Sequence, residues 1–185
     1  MMNEAEQLQD LLHAAMEGNI ASAHVRLRTL AEDDFSSFYR LVKNEDTCRM
    51  MGWPEMKKPA LAGVFFDLYR QTDPPRWFAL EHIPSGHFCG CMEISLNSPL
   101  ARQLPQLQER TCTALAFAIL PEYRRRGLMK EFLPVLHEYI FDHSGFDCIL
   151  GTCFAENTAS ASVHEACGYT RIADDGREQV YARFR

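Results

Sequence analysis

Arg124, Arg125, Arg126 and Lys130 crowd around Gly127 in the stretch LPEYRRRGLMKEFL, between an apolar run and a segment of helical periodicity. A helix N-terminus leaves backbone N–H groups unpaired and carries partial positive charge, so a glycine turn feeding one suits a phosphate or pyrophosphate. Arginines beside it add bidentate donors. The alternatives from these residues alone are a small anionic ligand and a solvated basic loop. Further along, Asn157 opens ENTASASVHEACGY, with Ser160 and His164 on the same short helical pattern. Asn caps a helix start well, and a histidine with an ordinary pKa near 6.5 can pass a proton near neutrality. Glu93, in mid-strand within CGCMEISL, is a candidate general base, with Glu81 and His82 on the preceding run as further carboxylate and imidazole candidates.

These residues need a scaffold, and the periodicities supply one. HVRLRTL (24–30) alternates as a half-buried strand, and Glu32, Asp33 and Asp34 then open a helix carrying Phe35, Phe38, Tyr39 and Val42. A second helix runs from Pro59 to Gln71, with Leu61, Val64, Phe65 and Leu68 on its expected buried face. RWFALEHI and FCGCMEISL flank Pro84-Ser85-Gly86 as an antiparallel hairpin. TCTALAFAIL is a mostly apolar strand leading into the basic turn, and Leu128, Phe132, Leu136 and Ile140 mark a helix face beyond it, interrupted by Pro134. DCILGTCF, a short helix over 157–167 stopped by Gly168, and two final strands around Asp174-Asp175-Gly176 complete the chain. The 97–110 segment reads as a surface excursion, and Leu8, Leu11, Leu12, Ala15 and Met16 predict an amphipathic helix within residues 1–20, ahead of one domain over 21–185.

A chain of 185 residues, 46% hydrophobic and 24% charged, forms one well-buried domain. The formal charge of -6 argues against nucleic-acid or anionic-membrane partners, which leaves Arg124 to Arg126 as a local exception. No apolar run reaches membrane-span length, and acids stand where a secretion signal carries Lys or Arg, so the expectation is a cytoplasmic protein. Seven cysteines without regular spacing read as buried free thiols. His87, Cys89 and Cys91 lack a second ligand pair, so no metal is expected; strand alternation puts both thiols on one face.

LPEYRRRGLM resembles the acetyl-coenzyme A signature of the GNAT acyltransferase superfamily, with Arg124, Gly127 and Met129 in its three fixed places. ENTASASVHEACGY is similar to that superfamily's last helix, through Asn157, Ser160 and Gly168-Tyr169. RLRTLAEDDFSSFYRLV with MGWP resembles the branch of ribosomal-protein N-terminal acetyltransferases, whose relatives also act on polyamines, amino acids and antibiotics.

The resemblance implies an α/β GNAT fold with a mixed, mostly antiparallel sheet flanked by helices, and direct transfer of an acetyl group from acetyl-CoA to a primary amine, on a small molecule or a protein N-terminus. It implies that backbone N–H groups from Arg125 through Gly127, Leu128 and Met129 to Lys130 hold the pyrophosphate, with Arg124 and Arg126 as side-chain contacts. Ile119 and Leu120 would end a splayed strand that pairs with pantetheine, a free Leu120 N–H would polarise the thioester, and Asn157 and Ser160 would border the pantetheine arm. His164 stands where many relatives carry the tyrosine that protonates the thiolate. Trp53, Met50, Met51, Phe65 and Phe66 fall where relatives build the acceptor wall. The alternatives are a non-catalytic acyl-CoA sensing module on the same fold and a nucleic-acid contact at the arginines. Either a monomer or a homodimer accords with the resemblance.

Overall fold

A computed structural model describes residues 4–96 and 98–185. Met1 to Asn3, Asn97 and the Leu8 side chain lie outside the described residues. Seven strands form one sheet in the order β1-β2-β3-β4-β5-β7-β6. They are β1 (Val25–Thr29), β2 (Trp77–His82), β3 (His87–Ser95), β4 (Cys112–Ile119), β5 (Cys148–Phe154), β6 (Thr170–Asp174) and β7 (Glu178–Phe184). Every neighbouring pair is antiparallel except β4 and β5. Those two are parallel because α6 (Leu128–His143) carries the chain back between them, as a crossover must.

The β4–β5 pairing is short. It holds at Cys112–Cys148, Thr113–Ile149 and Ala114–Leu150 and then stops, while β4 continues on its other edge against β3 up to Gly90–Ile119. The strands therefore part as they approach the basic turn, and a gap opens in the middle of the sheet. One face of the sheet is covered by α1 (Glu4–Met16) and α6, whose Leu11, Phe132, Leu136 and Ile140 join Leu27, Leu80, Met92 and Ile149 in the larger core. The other face is covered by α2 (Phe35–Val42), α3 (Glu45–Met51) and α4 (Pro59–Gln71), around Phe38, Phe66, Trp77 and Leu120. The 97–110 excursion contains a short helix, α5 (Pro99–Gln103), followed by a 3-10 turn whose Leu107 plugs a third cluster with Cys112, Cys148 and Leu150.

Several expectations are corrected. On α4 the buried residues are Ala62 and Phe66, while Leu61, Val64 and Leu68 stand exposed. Phe66 packs at 5.1 Å from the Phe38 ring and 5.5 Å from Phe35, and this aromatic contact fixes the rotation of the helix against the aliphatic stripe. On α1, Met16 is exposed and Ala14 is buried in its stead. Cys89 and Cys91 do not share a face: a bulge opposite Leu80 and Glu81 inserts one residue into β3, which sends Cys89 to the α6 core and Cys91 to the α2 core. The α3 helix had no counterpart in the periodicity, because its seven residues present two buried positions, Thr47 and Cys48. Pro134 is accommodated within α6. It has no N–H for the Lys130 carbonyl, and the Cys167 thiol stands 3.9 Å from that oxygen.

The last helix, α7 (Thr158–Ala166), starts at Asn157, whose Oδ1 accepts the Ser160 N–H at 3.1 Å, and ends at Gly168 with φ +80°.

Candidate active site

The turn between β4 and α6 is built from unusual backbone. Arg125 has φ +58° and Gly127 φ +77°, so two left-handed residues fold the chain sharply enough to aim successive N–H groups outward. The first helical bond of α6 is Glu131 N–H to the Gly127 carbonyl, at 3.0 Å. The N–H groups of Leu128, Met129 and Lys130 thus have no helical acceptor, and the dipole of a sixteen-residue helix stands behind them. A Cβ on Gly127 would meet nothing within 4 Å, so it is the backbone angle, and the open space in front of it, that calls for glycine.

The gap between β4 and β5 opens directly onto this turn. Together they line a cavity of about 890 Å³, at the upper end of the range for small-molecule sites. Ile119, Arg124 to Lys130, Asn157, Ser160 and His164 all border it, as do Met50 and Met51 of α3. Among the described residues no three His, Cys, Asp or Glu side chains gather as a metal site. No helix among them is long and apolar enough to cross a membrane.

Backbone alternation decides which strand groups face the gap. The Leu120 N–H donates to the Cys89 carbonyl at 2.9 Å, toward β3, so Leu120 is neither free to polarise a ligand nor on the cavity wall. The expectation shifts by one residue: Ile119, Phe117 and Leu115 turn their polar groups toward β5, where the pairing has ended.

Arg124 has a structural role as well. Its Nε donates to the Ile119 carbonyl at 2.9 Å and its guanidinium donates to Thr47 Oγ1 at 2.7 Å. Thr47 in turn donates to Asn44 Oδ1, the N-cap of α3, at 2.9 Å. Arg124 thus fastens the basic turn to α3 and occupies one carbonyl of the gap while still bordering the cavity. Arg126 lies over the Tyr123 ring at 5.3 Å. Lys130 Nζ donates to Ser162 Oγ at 3.1 Å, across the mouth between α6 and α7. On the far side, Arg49 of α3 pairs with Glu156, just before α7.

His164 stands at the inner end of the cavity and is almost wholly buried. Its ring stacks on Tyr181 at 4.9 Å and meets Tyr169 and Phe117. A Cβ on Gly151 would come within 2.4 Å of its Nε2, so the ring lies in a slot that glycine leaves on β5. Its Nδ1 has no hydrogen-bond partner among the described residues. Burial lowers its pKa to about 4, so near neutrality the ring is uncharged and holds no imidazolium pool, contrary to the sequence expectation. Glu93 points into the α2–α4 side, opposite Trp77 and Ala116, and does not line the cavity, although Ala116 does. Burial raises the Glu93 pKa, partly offset by the charge of Arg76. Glu81 is held by Arg28 at 2.7 Å and Arg26 at 3.1 Å, and His82 by Ser85 at 2.8 Å, so both weaker base candidates are otherwise engaged.

An acetyltransferase (GNAT) domain model matches residues 24–170, most of the chain. The chain belongs to the GNAT acetyltransferase family. Solved structures share the fold of this GNAT domain at low identity. A GNAT-family acetyltransferase from Bacillus anthracis is 16% identical, with a TM-score of 0.73 over 89% of this chain and 97% of that one. RimL, a ribosomal L7/L12 alpha-N-protein acetyltransferase solved with coenzyme A, is 15% identical, with a TM-score of 0.70 over 89% and 97%. The microcin C7 self-immunity acetyltransferase MccE, solved with acetyl-CoA and AMP, is 12% identical, with a TM-score of 0.68 over 88% and 93%. No curated protein sequence matches the chain.

Proposed function

We propose that this GNAT domain transfers the acetyl group of acetyl-CoA directly to a primary amine. The observation that carries the reading is the cavity in which an unpaired strand edge runs into a helix start with free N–H groups. The pyrophosphate sits on the N–H groups of Arg125 to Lys130, with Arg125 and Arg126 as the nearby cations. Pantetheine adds to the exposed edge of β4 as a short strand, paired through Leu115, Phe117 and Ile119. The Ile119 N–H, rather than that of Leu120, stands where it can polarise the thioester carbonyl. Asn157 keeps Oδ1 on its cap and offers its amide N–H₂ to the arm, with Ser160 beside it.

Attack requires a neutral amine, and Glu93 takes its proton through water that passes Ala116, its register partner, which borders the cavity. Its raised pKa suits a base. His164 donates a hydrogen bond as neutral imidazole from Nδ1 to the departing sulfur, and the proton that completes coenzyme A comes from solvent or from the acceptor. Met50 and Met51, which border the cavity, form the acceptor wall, and the Trp53–Trp77 pair, 5.6 Å apart, packs in the core on that face of the sheet. The acceptor is a small amine or a protein N-terminus, and the protein acts in the cytoplasm.

One observation favours the non-catalytic acyl-CoA module: neither proton-handling candidate places a charged group in the cavity. Calorimetric titration with acetyl-CoA, followed by thiol release against peptides, polyamines, amino acids and aminoglycosides, separates the readings. Micromolar binding with an accelerated amine supports the transferase. Binding without turnover on any acceptor selects the sensing module, and absence of binding removes both.

A further inference from the structure

Cys112 and Cys148 are register partners on the first rung of the β4–β5 pairing, and the Cys112 Sγ lies 3.7 Å from the Arg110 carbonyl oxygen. Neighbouring strands lie about 4.8 Å apart, within the roughly 4.4–6.8 Å over which two Cα atoms can be bridged by a disulfide. Both side chains point into the same cluster beside Leu107, Leu150 and Ala182. Among the described residues no other two cysteines oppose each other. Cys89 and Cys91 go to opposite faces, Cys48 donates to the Val42 carbonyl, Cys167 lies against α6, and Cys153 is placed opposite Gln179.

A second cavity gives this pair its access. It measures about 370 Å³, shares no lining residue with the larger cavity, and is bordered by residues of the 98–110 segment. Arg102, Arg110, Gln108 and Phe146 line it, and the only thiol on its wall is that of Cys112. Burial raises the Cys112 pKa above that of an ordinary thiol and the Asp147 carboxylate adds to this, while the charge of Arg110 offsets part of the rise. Cys148 lies behind it, fully buried.

We propose that Cys112 and Cys148 are a reversible disulfide pair, oxidised by hydrogen peroxide that enters through the cavity under the 98–110 segment. The Cys112 thiolate attacks one peroxide oxygen, forming an S–O bond as the O–O bond breaks, and the hydroxide released takes up a proton to leave as water. Cys148 then attacks the sulfenic sulfur, the S–S bond forms, the S–O bond breaks, and a second water departs. One peroxide is reduced and two thiols are oxidised. The resulting ring runs through β4, the basic turn and all of α6 to the start of β5, so it closes covalently around the whole unit assigned to the coenzyme. This inference stands independently of the acetyl-transfer reading.

The test treats the folded, full-length protein with hydrogen peroxide and maps its thiols by alkylation and peptide mass. The expected result is loss of two of the seven thiols, a Cys112–Cys148 linked peptide, and full recovery with dithiothreitol. The oxidised protein melts roughly 5–15 °C higher, because the cross-link restricts the unfolded chain. Cys112→Ala removes the reaction. Cys148→Ala leaves Cys112 as a sulfenic acid that dimedone traps, which keeps the idea testable if one variant folds poorly. Survival of all seven thiols in the folded protein, oxidation of a different pair, or a bridge between two molecules would overturn the proposal.

Discussion

Arg124 shows how far a residue's type can mislead about its work. An arginine beside a phosphate turn suggests a phosphate contact, yet its Nε and one terminal nitrogen are committed to the Ile119 carbonyl and Thr47. Arg124→Met is therefore expected to weaken acetyl-CoA binding by loosening the turn, about 10-fold or more for hydrogen bonds made by a charged group. Thr47→Val, which breaks the same tether from the α3 side, is expected to weaken it in the same direction. Titration calorimetry on both variants checks this, and an unaffected Thr47→Val would show that the tether to α3 is unimportant. For His164, replacement by alanine is expected to lower kcat while sparing the coenzyme Kd. Because its folded pKa is near 4, the wild-type kcat profile carries no break near 6.5 from this residue. An inflection near 6.5 that disappears in the variant would restore the imidazolium acid.

At the scale of elements, two glycines shape the site for different reasons. Gly127 holds φ +77° with free space around it, so Gly127→Val strains only the turn, by about 1–2 kcal/mol, and obstructs the approach of an anion. The variant is expected to fold, with a coenzyme Kd raised at least tenfold, as read by calorimetry beside a circular-dichroism melt. Gly151 is a slot: a methyl group there meets His164 Nε2 at 2.4 Å. Gly151→Ala is expected to destabilise by about 1–3 kcal/mol through overpacking. His164→Ala in the same chain should recover much of that loss, and urea unfolding of the two single variants and the double variant measures the coupling. Strict additivity would mean that the slot is not what Gly151 provides.

Across the whole molecule, stability has a defined pH dependence. His164 and His137 are both buried, with folded pKa values of about 4 and about 3 against 6.5 when exposed. His137 is further depressed by the charge of Arg183, and its Nε2 lies 2.9 Å from the Tyr169 hydroxyl. The unfolded chain binds these protons first, so the stability they contribute is fully present above about pH 6.5 and is lost as pH falls toward 4. His164 alone accounts for about 3 kcal/mol over that window. Urea unfolding at intervals from pH 7 to 4.5 is expected to show this decline, flattened in His164→Gln. A wild-type curve that is level over this interval would remove buried neutral histidines as its cause.

How much of this was legible in the chain depends on the range of the forces involved. Element type, the hairpin, the glycine turn and the capped last helix follow from local periodicity and local backbone chemistry, and Arg124, Gly127 and Asn157 with their spacing were enough to suggest the family. What neighbours do to one another was not legible. The rotation of α4 is set by Phe66 against Phe35 and Phe38, the separation of Cys89 from Cys91 by a single bulge, and the state of His164 by rings contributed from three strands or their ends. The sequence by itself determined which segments become strands and helices, because propensity and amphipathic period act within a few residues. Only the tertiary structure decided that β4 and β5 part after three rungs, that Leu120 faces β3, and that Cys112 meets Cys148, because register and burial arise between segments far apart in the chain.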